Sequence, residues 1–125
     1  MSIQRLSISG VTVLKNPGKL SEQLVWPRNA PESSLTITRV TMQPGSVSAL
    51  HSHAHSEQIW IVERGSGQIL TQDGMPAELK AGDIIRTPPG TAHGVHNTSN
   101  EPLVYLSITT PPEDFTKHYV EKSTI

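Results

Sequence analysis

The sequence predicts an all-β protein that folds as one sandwich or barrel. Ten prolines and nine glycines stand among the 125 residues and form turn signals at short intervals. The runs between them are rich in β-branched residues and too short for ordinary helices. The clearest turn signals are Asn16-Pro17-Gly18, Pro44-Gly45, Gly65-Ser66-Gly67, Asp73-Gly74, Gly82-Asp83 and Pro88-Pro89-Gly90.

Eight strands are predicted along the chain. Residues 35–42 alternate between apolar and polar side chains, which predicts one buried face. Residues 67–71 run into Asp73-Gly74, a hairpin signal. Residues 112–122 are the one helical candidate, and an extended tail fits them equally well. The predicted strands are 11–14, 35–42, 46–53, 58–63, 67–71, 83–87, 93–97 and 103–109.

Composition excludes several classes of function. The chain has no cysteine, which excludes disulfides, thiolate metal sites and cysteine nucleophiles. Ten Lys and Arg against eleven Asp and Glu give a formal net charge of -1, so no basic surface for nucleic acid or membrane is indicated. Residues 1–10 lack the apolar stretch of a signal peptide, and no run approaches the ~18 apolar residues of a membrane span. We therefore expect a cytoplasmic protein with neither a nucleic-acid nor a membrane partner.

The histidines are the unusual feature, since five of the six lie between His51 and His96. His51 and His53 stand two apart on a predicted strand, so their imidazoles face the same side. With an oxygen ligand from a following strand, such a pair suits Zn, Cu, Fe, Ni or Mn. His93 follows the corner formed by Pro88-Pro89-Gly90, which sets the direction of its ring.

These segments resemble the two signature motifs of the cupin superfamily. The first family motif reads Gly, five residues, His-x-His, three or four residues, Glu, six residues, Gly. The second reads Gly, five residues, Pro-x-Gly, two residues, His, three residues, Asn, and this chain matches it at every position. The matching residues are Gly45, His51, His53 and Gly65 in the first motif, and Gly82, Pro88, Gly90, His93 and Asn97 in the second.

The resemblance implies a double-stranded β-helix, or jelly roll, that holds one divalent metal ion (Fe, Mn, Ni, Zn or Cu) on His51, His53 and His93. It also implies a division of the chain. Residues 1–34 form N-terminal strands of the same domain that contact a partner in a homodimer, residues 35–111 form the cupin barrel, and residues 112–125 form a tail or short helix.

The acidic ligand of the first motif is ambiguous in this chain. With three residues between it and His53, the acidic ligand would be Glu57, but seven residues then separate Glu57 from Gly65. With four intervening residues the ligand would be Gln58, and the six residues between Gln58 and Gly65 then match the family motif. We predict Gln58 as the fourth ligand on spacing, with Glu57 as the alternative on residue type. Three neutral imidazoles and a neutral amide would leave the metal charge uncompensated and favour anionic ligands.

Other side chains are candidates for the pocket. His55, Glu57 and Tyr105 are candidate proton-transfer residues, while His55 alternatively belongs to the rim. Trp60 either lines the pocket or belongs to the core, and Met42 is predicted to line it. Two arginines, Arg39 and Arg86, either bind an anion or lie on the surface. By strand parity His96 faces away from the metal, and His118 carries no signal.

Two functions remain open from the sequence. The resemblance implies a metal-dependent enzyme that acts on a small oxygen-rich molecule as an isomerase, a lyase or decarboxylase, or a dioxygenase. The alternative is a non-catalytic protein that binds a small molecule, with a metal that is structural or anchors the ligand. Fold alone does not separate them.

Overall fold

The computed structural model describes residues 2–124, which form eleven strands and two short 3-10 helices. The helices are Ile8–Gly10 and Thr116–His118. The strands are β1 (Thr12–Asn16), β2 (Lys19–Val25), β3 (Thr36–Met42), β4 (Val47–His51), β5 (Glu57–Arg64), β6 (Ser66–Thr71), β7 (Ala77–Lys80), β8 (Ile84–Thr87), β9 (His93–His96), β10 (Leu103–Thr110) and β11 (Glu121–Thr124).

The strands form two antiparallel sheets that pack face to face. The larger sheet has the order β11-β1-β2-β3-β10-β5-β8, and the smaller has the order β4-β9-β6-β7. The apolar core lies between them and draws on both, because Trp60 and Leu103 of the larger sheet pack with Leu79 and Val95 of the smaller. This architecture confirms the predicted all-β jelly roll.

The inner face of the larger sheet changes character along its strands. On β3 every second residue is buried, which confirms one buried face, although Thr36 and Thr38 rather than the apolar Ile37 occupy that face at the start of the strand. At one end, Met42 pairs with Leu103 of β10, and both are apolar and fully buried. At the other end, Thr36 pairs with Thr109. The apolar end closes the barrel, and the polar end leaves a surface on which a site can form.

Three strands were not predicted. In β2 the buried residues include Ser21 and Gln23, so polar side chains fill the positions that an apolar pattern would mark. Strand β7 has one buried residue, Leu79, and β11 has none. Residues 112–124, predicted as a tail or short helix, hold a 3-10 helix and the strand β11, which pairs antiparallel with β1.

The N-terminal segment combines buried and exposed apolar residues. Val13 and Leu14 are fully buried, whereas Ile3, Leu6 and Ile8 are exposed in the single chain. The homodimer contact through residues 1–34 stays a prediction. Within residues 2–124, no helix has both the length and the apolar character needed to cross a membrane.

Gly65, at the end of the first motif, occupies a backbone position that tolerates no side chain. Its φ is +82°, and an added Cβ would collide with the carbonyl oxygen of Pro102. We expect Gly65→Ala to lower the free energy of unfolding by about 2–4 kcal/mol, from left-handed strain plus overpacking. Chemical denaturation measures this loss.

The matched control is Gly74→Ala. Gly74 has a φ of +77° with open space around the position of a Cβ, so only the strain of about 1 kcal/mol is expected. Equal losses in the two variants would contradict the collision at Gly65.

Candidate metal centre

Three histidines, two from the first motif and one from the second, converge at one point. His51 ends β4, His53 lies in the following connection, and His93 begins β9 opposite His51. Their possible ligand atoms all lie within 4.8 Å of one another. His53 and His93 are buried, while His51 is exposed.

The hydrogen bonds of His51 and His93 determine which ring nitrogen is free. Nδ1 of His51 lies 2.8 Å from the carbonyl oxygen of Ala49, and Nδ1 of His93 lies 2.9 Å from that of Thr91. A carbonyl oxygen only accepts, so each Nδ1 carries the proton and donates it. The Nε2 of each ring is therefore left with a lone pair, as a metal ligand requires.

His53 is oriented by a carboxylate. Its Nδ1 lies 2.9 Å from Oε2 of Glu113, and its ring meets that of Phe115 edge to face. Its buried Nε2 has no hydrogen-bond partner among residues 2–124. Buried polar atoms are rarely left unpaired, and a cation at the centre of the three rings would pair this one. The residues present therefore fit a bound divalent ion.

Gln58 turns its amide oxygen toward the same point. It is buried on β5, and its Nε2 donates to Oγ1 of Thr109 at 3.0 Å. Its Oε1 accepts from Nε1 of Trp60 at 3.2 Å and lies 3.2 Å from Nε2 of His93. With His93 protonated on Nδ1, these last two atoms are both acceptors that face a common point, which is the arrangement of two ligands to one cation.

Glu57 lies on the opposite face of β5, because successive strand residues point to opposite sides. Its Oε2 accepts from Arg86 at 2.9 Å (Nε) and 2.8 Å (Nη2). This ion pair holds the carboxylate away from the histidines. The alternative of Glu57 as a ligand, and its candidacy as a base, do not fit this placement.

Burial keeps two of the imidazoles uncharged at neutral pH. It lowers the pKa of His93 to about 4, against the opposing hydrogen bond to Thr91. Burial also lowers the pKa of His53, although the nearby Glu113 carboxylate opposes the shift. The neutral imidazole is the form that binds a metal ion.

A cavity of about 220 Å³ opens beside the histidines. His51, His53 and Gln58 line it together with Trp60 and Tyr105. Trp60 and Tyr105 also belong to the core cluster, so the two interpretations of Trp60 both apply. Burial raises the pKa of Tyr105 well above its ordinary value, so its phenol stays protonated.

Two predicted pocket residues lie elsewhere. Met42 does not line the cavity, and that prediction is wrong. Its position on β3 is two residues beyond Val40, toward the closed apolar end, where it packs in the core. His55 is exposed in the connection between β4 and β5 and is not among the residues that line the cavity.

The segment after β10 contributes residues that sequence reasoning missed. Phe115, His118 and Tyr119 line the cavity. Oγ1 of Thr36 donates to the carbonyl oxygen of Glu113 at 2.8 Å, which ties the segment to β3. One signal was present in the sequence, since two of the five aromatic residues fall in this otherwise polar stretch.

The family comparison matches the chain over most of its barrel. The model of the family described as Cupin domain matches residues 38–109. This span contains all three histidines and Gln58, and it runs from β3 to β10.

Two relatives share the sequence at moderate identity. An oxalate-binding protein of Thermotoga maritima is 33% identical over 72 residues, which are 58% of this chain and 59% of that protein. A gentisate 1,2-dioxygenase of a Ralstonia species is 32% identical over 98 residues, which are 78% of this chain but 26% of that enzyme. The match therefore spans less than two thirds of the first relative and about a quarter of the second.

One solved structure shows the fold. An uncharacterised protein of Klebsiella pneumoniae with a double-stranded β-helix domain superposes with a TM-score of 0.70 at 24% identity. The match covers 88% of this chain and 86% of that one.

Proposed function

This chain belongs to the cupin domain family, and from that premise we propose that it is a metal-dependent enzyme acting on a small oxygen-rich molecule. One observation carries the proposal. The three histidines and the amide oxygen of Gln58 beside them lie next to a cavity rather than inside a closed core. An ion held there is open to a ligand, as in catalytic rather than structural sites.

The bound ion would polarise a carbonyl or carboxylate group, or activate dioxygen. The chain itself supplies a group for proton transfer, because His118 lines the cavity without belonging to the donor cluster. Burial lowers the pKa of His118, so its imidazole is neutral at pH 7 and ready to accept a proton. Tyr105 also lines the cavity, and its phenol, which burial keeps protonated, can donate a hydrogen bond there.

More than one class of reaction is compatible with these metal-binding residues. The likeness to gentisate 1,2-dioxygenase supports dioxygenation, while isomerase and lyase or decarboxylase reactions fit the same donors. The likeness to an oxalate-binding protein favours the second candidate function, which is binding without turnover.

Turnover by the metal-loaded protein tests the proposal. The protein is incubated with a panel of small hydroxy acids, keto acids, sugars and dihydroxybenzoates. Oxygen uptake, carbon dioxide release and proton NMR spectra are followed. We expect metal-dependent conversion of at least one compound, and a rate about 10²–10⁴ times lower in His118→Gln at unchanged metal content.

The matched control is His55→Gln, which alters an exposed histidine outside the cavity and should leave the rate unchanged. Saturable binding of a compound with no conversion in any of the three readouts would overturn the enzyme proposal in favour of the binding function.

A further inference from the structure

We propose that the cavity contains a second recognition site, formed by Lys19 and Ser48, that binds the carboxylate of a small hydroxylated organic acid. This inference rests on the proposed function, because it specifies the class of the oxygen-rich molecule. The histidine cluster and this site would hold different parts of one ligand.

Lys19 joins the two sheets across the wall of the cavity. It lies on β2 of the larger sheet, and its Nζ donates to Oγ of Ser48, on β4 of the smaller sheet, at 2.9 Å. The ammonium also lies 5.3 Å from the centre of the Tyr119 ring. Both residues line the cavity with Tyr119.

The charge of Lys19 has no carboxylate partner within residues 2–124. None of the ion pairs of those residues includes it. The two arginines considered above as anion clamps are already paired, Arg39 with Glu22 and Arg86 with Glu57. A half-buried cation with only neutral partners lacks the counter-charge that normally offsets its desolvation.

The composition of the cavity favours an anionic occupant. Among its described lining residues, Lys19 is the one lysine or arginine, and none is aspartate or glutamate. A cavity whose charges have a single sign concentrates ligands of the opposite sign.

The donors of Lys19 and Ser48 match a carboxylate. An ammonium has three protons, and Ser48 takes one of them, so two remain for a ligand. Ser48 accepts from Lys19 and keeps its own hydroxyl proton to donate. Two adjacent donors suit the two oxygens of a carboxylate, whereas phosphate sites usually add backbone N–H groups or arginine.

The wall formed by the larger sheet, which also carries Lys19, presents hydroxyl groups. Ser21, Thr38 and Ser107 lie on the inner face of β2, β3 and β10 and line the cavity. Hydroxyl side chains both donate and accept, so they complement hydroxyl groups of a ligand. The volume of about 220 Å³ is below the ~300–1,000 Å³ of pockets for drug-sized ligands, so the acid is small.

Calorimetric titration with glycerate, glycerol and inorganic phosphate tests the site, in metal-loaded and metal-depleted protein. We expect glycerate to bind in both forms, glycerol to bind at least tenfold more weakly, and Lys19→Met to weaken glycerate binding roughly 10- to 100-fold. Lys19→Arg should retain much of the affinity. The control Lys122→Met removes the same charge from exposed strand β11 and should match the wild type.

Equal glycerate affinity in the wild type and a folded Lys19→Met variant would overturn the inference. Phosphate binding that depends on Lys19 and exceeds glycerate binding would overturn the carboxylate assignment. The titrations of metal-depleted protein test this site independently of the proposed metal-dependent activity. Loss of Lys19 dependence would leave metal-dependent turnover intact, and absence of turnover would leave Lys19-dependent binding to be measured.

Discussion

Replacement of His93 by alanine is expected to abolish tight binding of a divalent metal ion, of which the wild-type protein should hold about one equivalent per chain. His93 is the most buried of the three histidines, and its Nε2 faces both the cluster and the amide oxygen of Gln58. Its loss removes one imidazole donor and opens a gap between the remaining ligands.

Elemental analysis of untagged protein, purified without chelators, measures this effect. The control is Glu57→Ala, because Glu57 pairs with Arg86 on the outer face and should leave the metal content unchanged. Far-ultraviolet circular dichroism establishes that each variant is folded. Equal metal in the His93→Ala variant, or none in the wild type after reconstitution, would contradict the metal centre.

The element found would also narrow the chemistry. Iron or copper points to dioxygen chemistry, whereas manganese, nickel or zinc points to isomerase, lyase or hydrolytic reactions.

Glu113→Gln is expected to weaken metal affinity by roughly 10- to 100-fold, because outer carboxylates that orient a ligating histidine typically have effects of this size. Glu113 accepts from Nδ1 of His53 at 2.9 Å, which fixes the ring and makes its Nε2 a better donor. Glutamine keeps the size and the hydrogen-bond acceptor but loses the charge. The affinity should therefore fall without loss of the fold.

Competition with a chromophoric chelator measures the affinity of each variant. Asp114→Asn is the matched control, since Asp114 is the next residue and pairs with Arg28 rather than with a histidine. Identical affinities of Glu113→Gln and the wild type would show that the carboxylate does not tune the site. A loss of similar size in Asp114→Asn would instead trace the effect to displacement of the whole segment.

Local signals in the sequence determined much of the barrel. Residues 35–42 form β3 with the one buried face that was predicted, because strand side chains alternate with period two, although Thr36 and Thr38 rather than Ile37 fill that face at its start. The turn glycines fall where the backbone takes positive φ, as at Gly65 and Gly82. The histidine spacing identified His51, His53 and His93, since strand periodicity and a proline corner set their directions over a few residues.

Strand parity separates the two residues that motif spacing left as alternatives. The sequence offered Glu57 and Gln58 as rival oxygen ligands, by residue type and by spacing. In the folded chain these neighbours take opposite faces of β5, and the partners on each side are Arg86 outside and Thr109 inside. Only the register of β5 against β8 and β10 decides which face is interior.

Tertiary packing alone placed the rest of the site. Glu113 meets His53, 60 residues earlier in the chain, and Lys19 meets Ser48 across the two sheets. Strand β2 carries Ser21 and Gln23 inward, so its pattern resembles a solvated loop. In a sequence, a polar side chain is predicted to be exposed unless its hydrogen-bond partner is known. These partners come together only when the barrel closes. The sequence thus determined the fold and the three histidines, whereas the tertiary structure brought Gln58 beside them, Glu113 against His53 and Lys19 to the wall of the cavity.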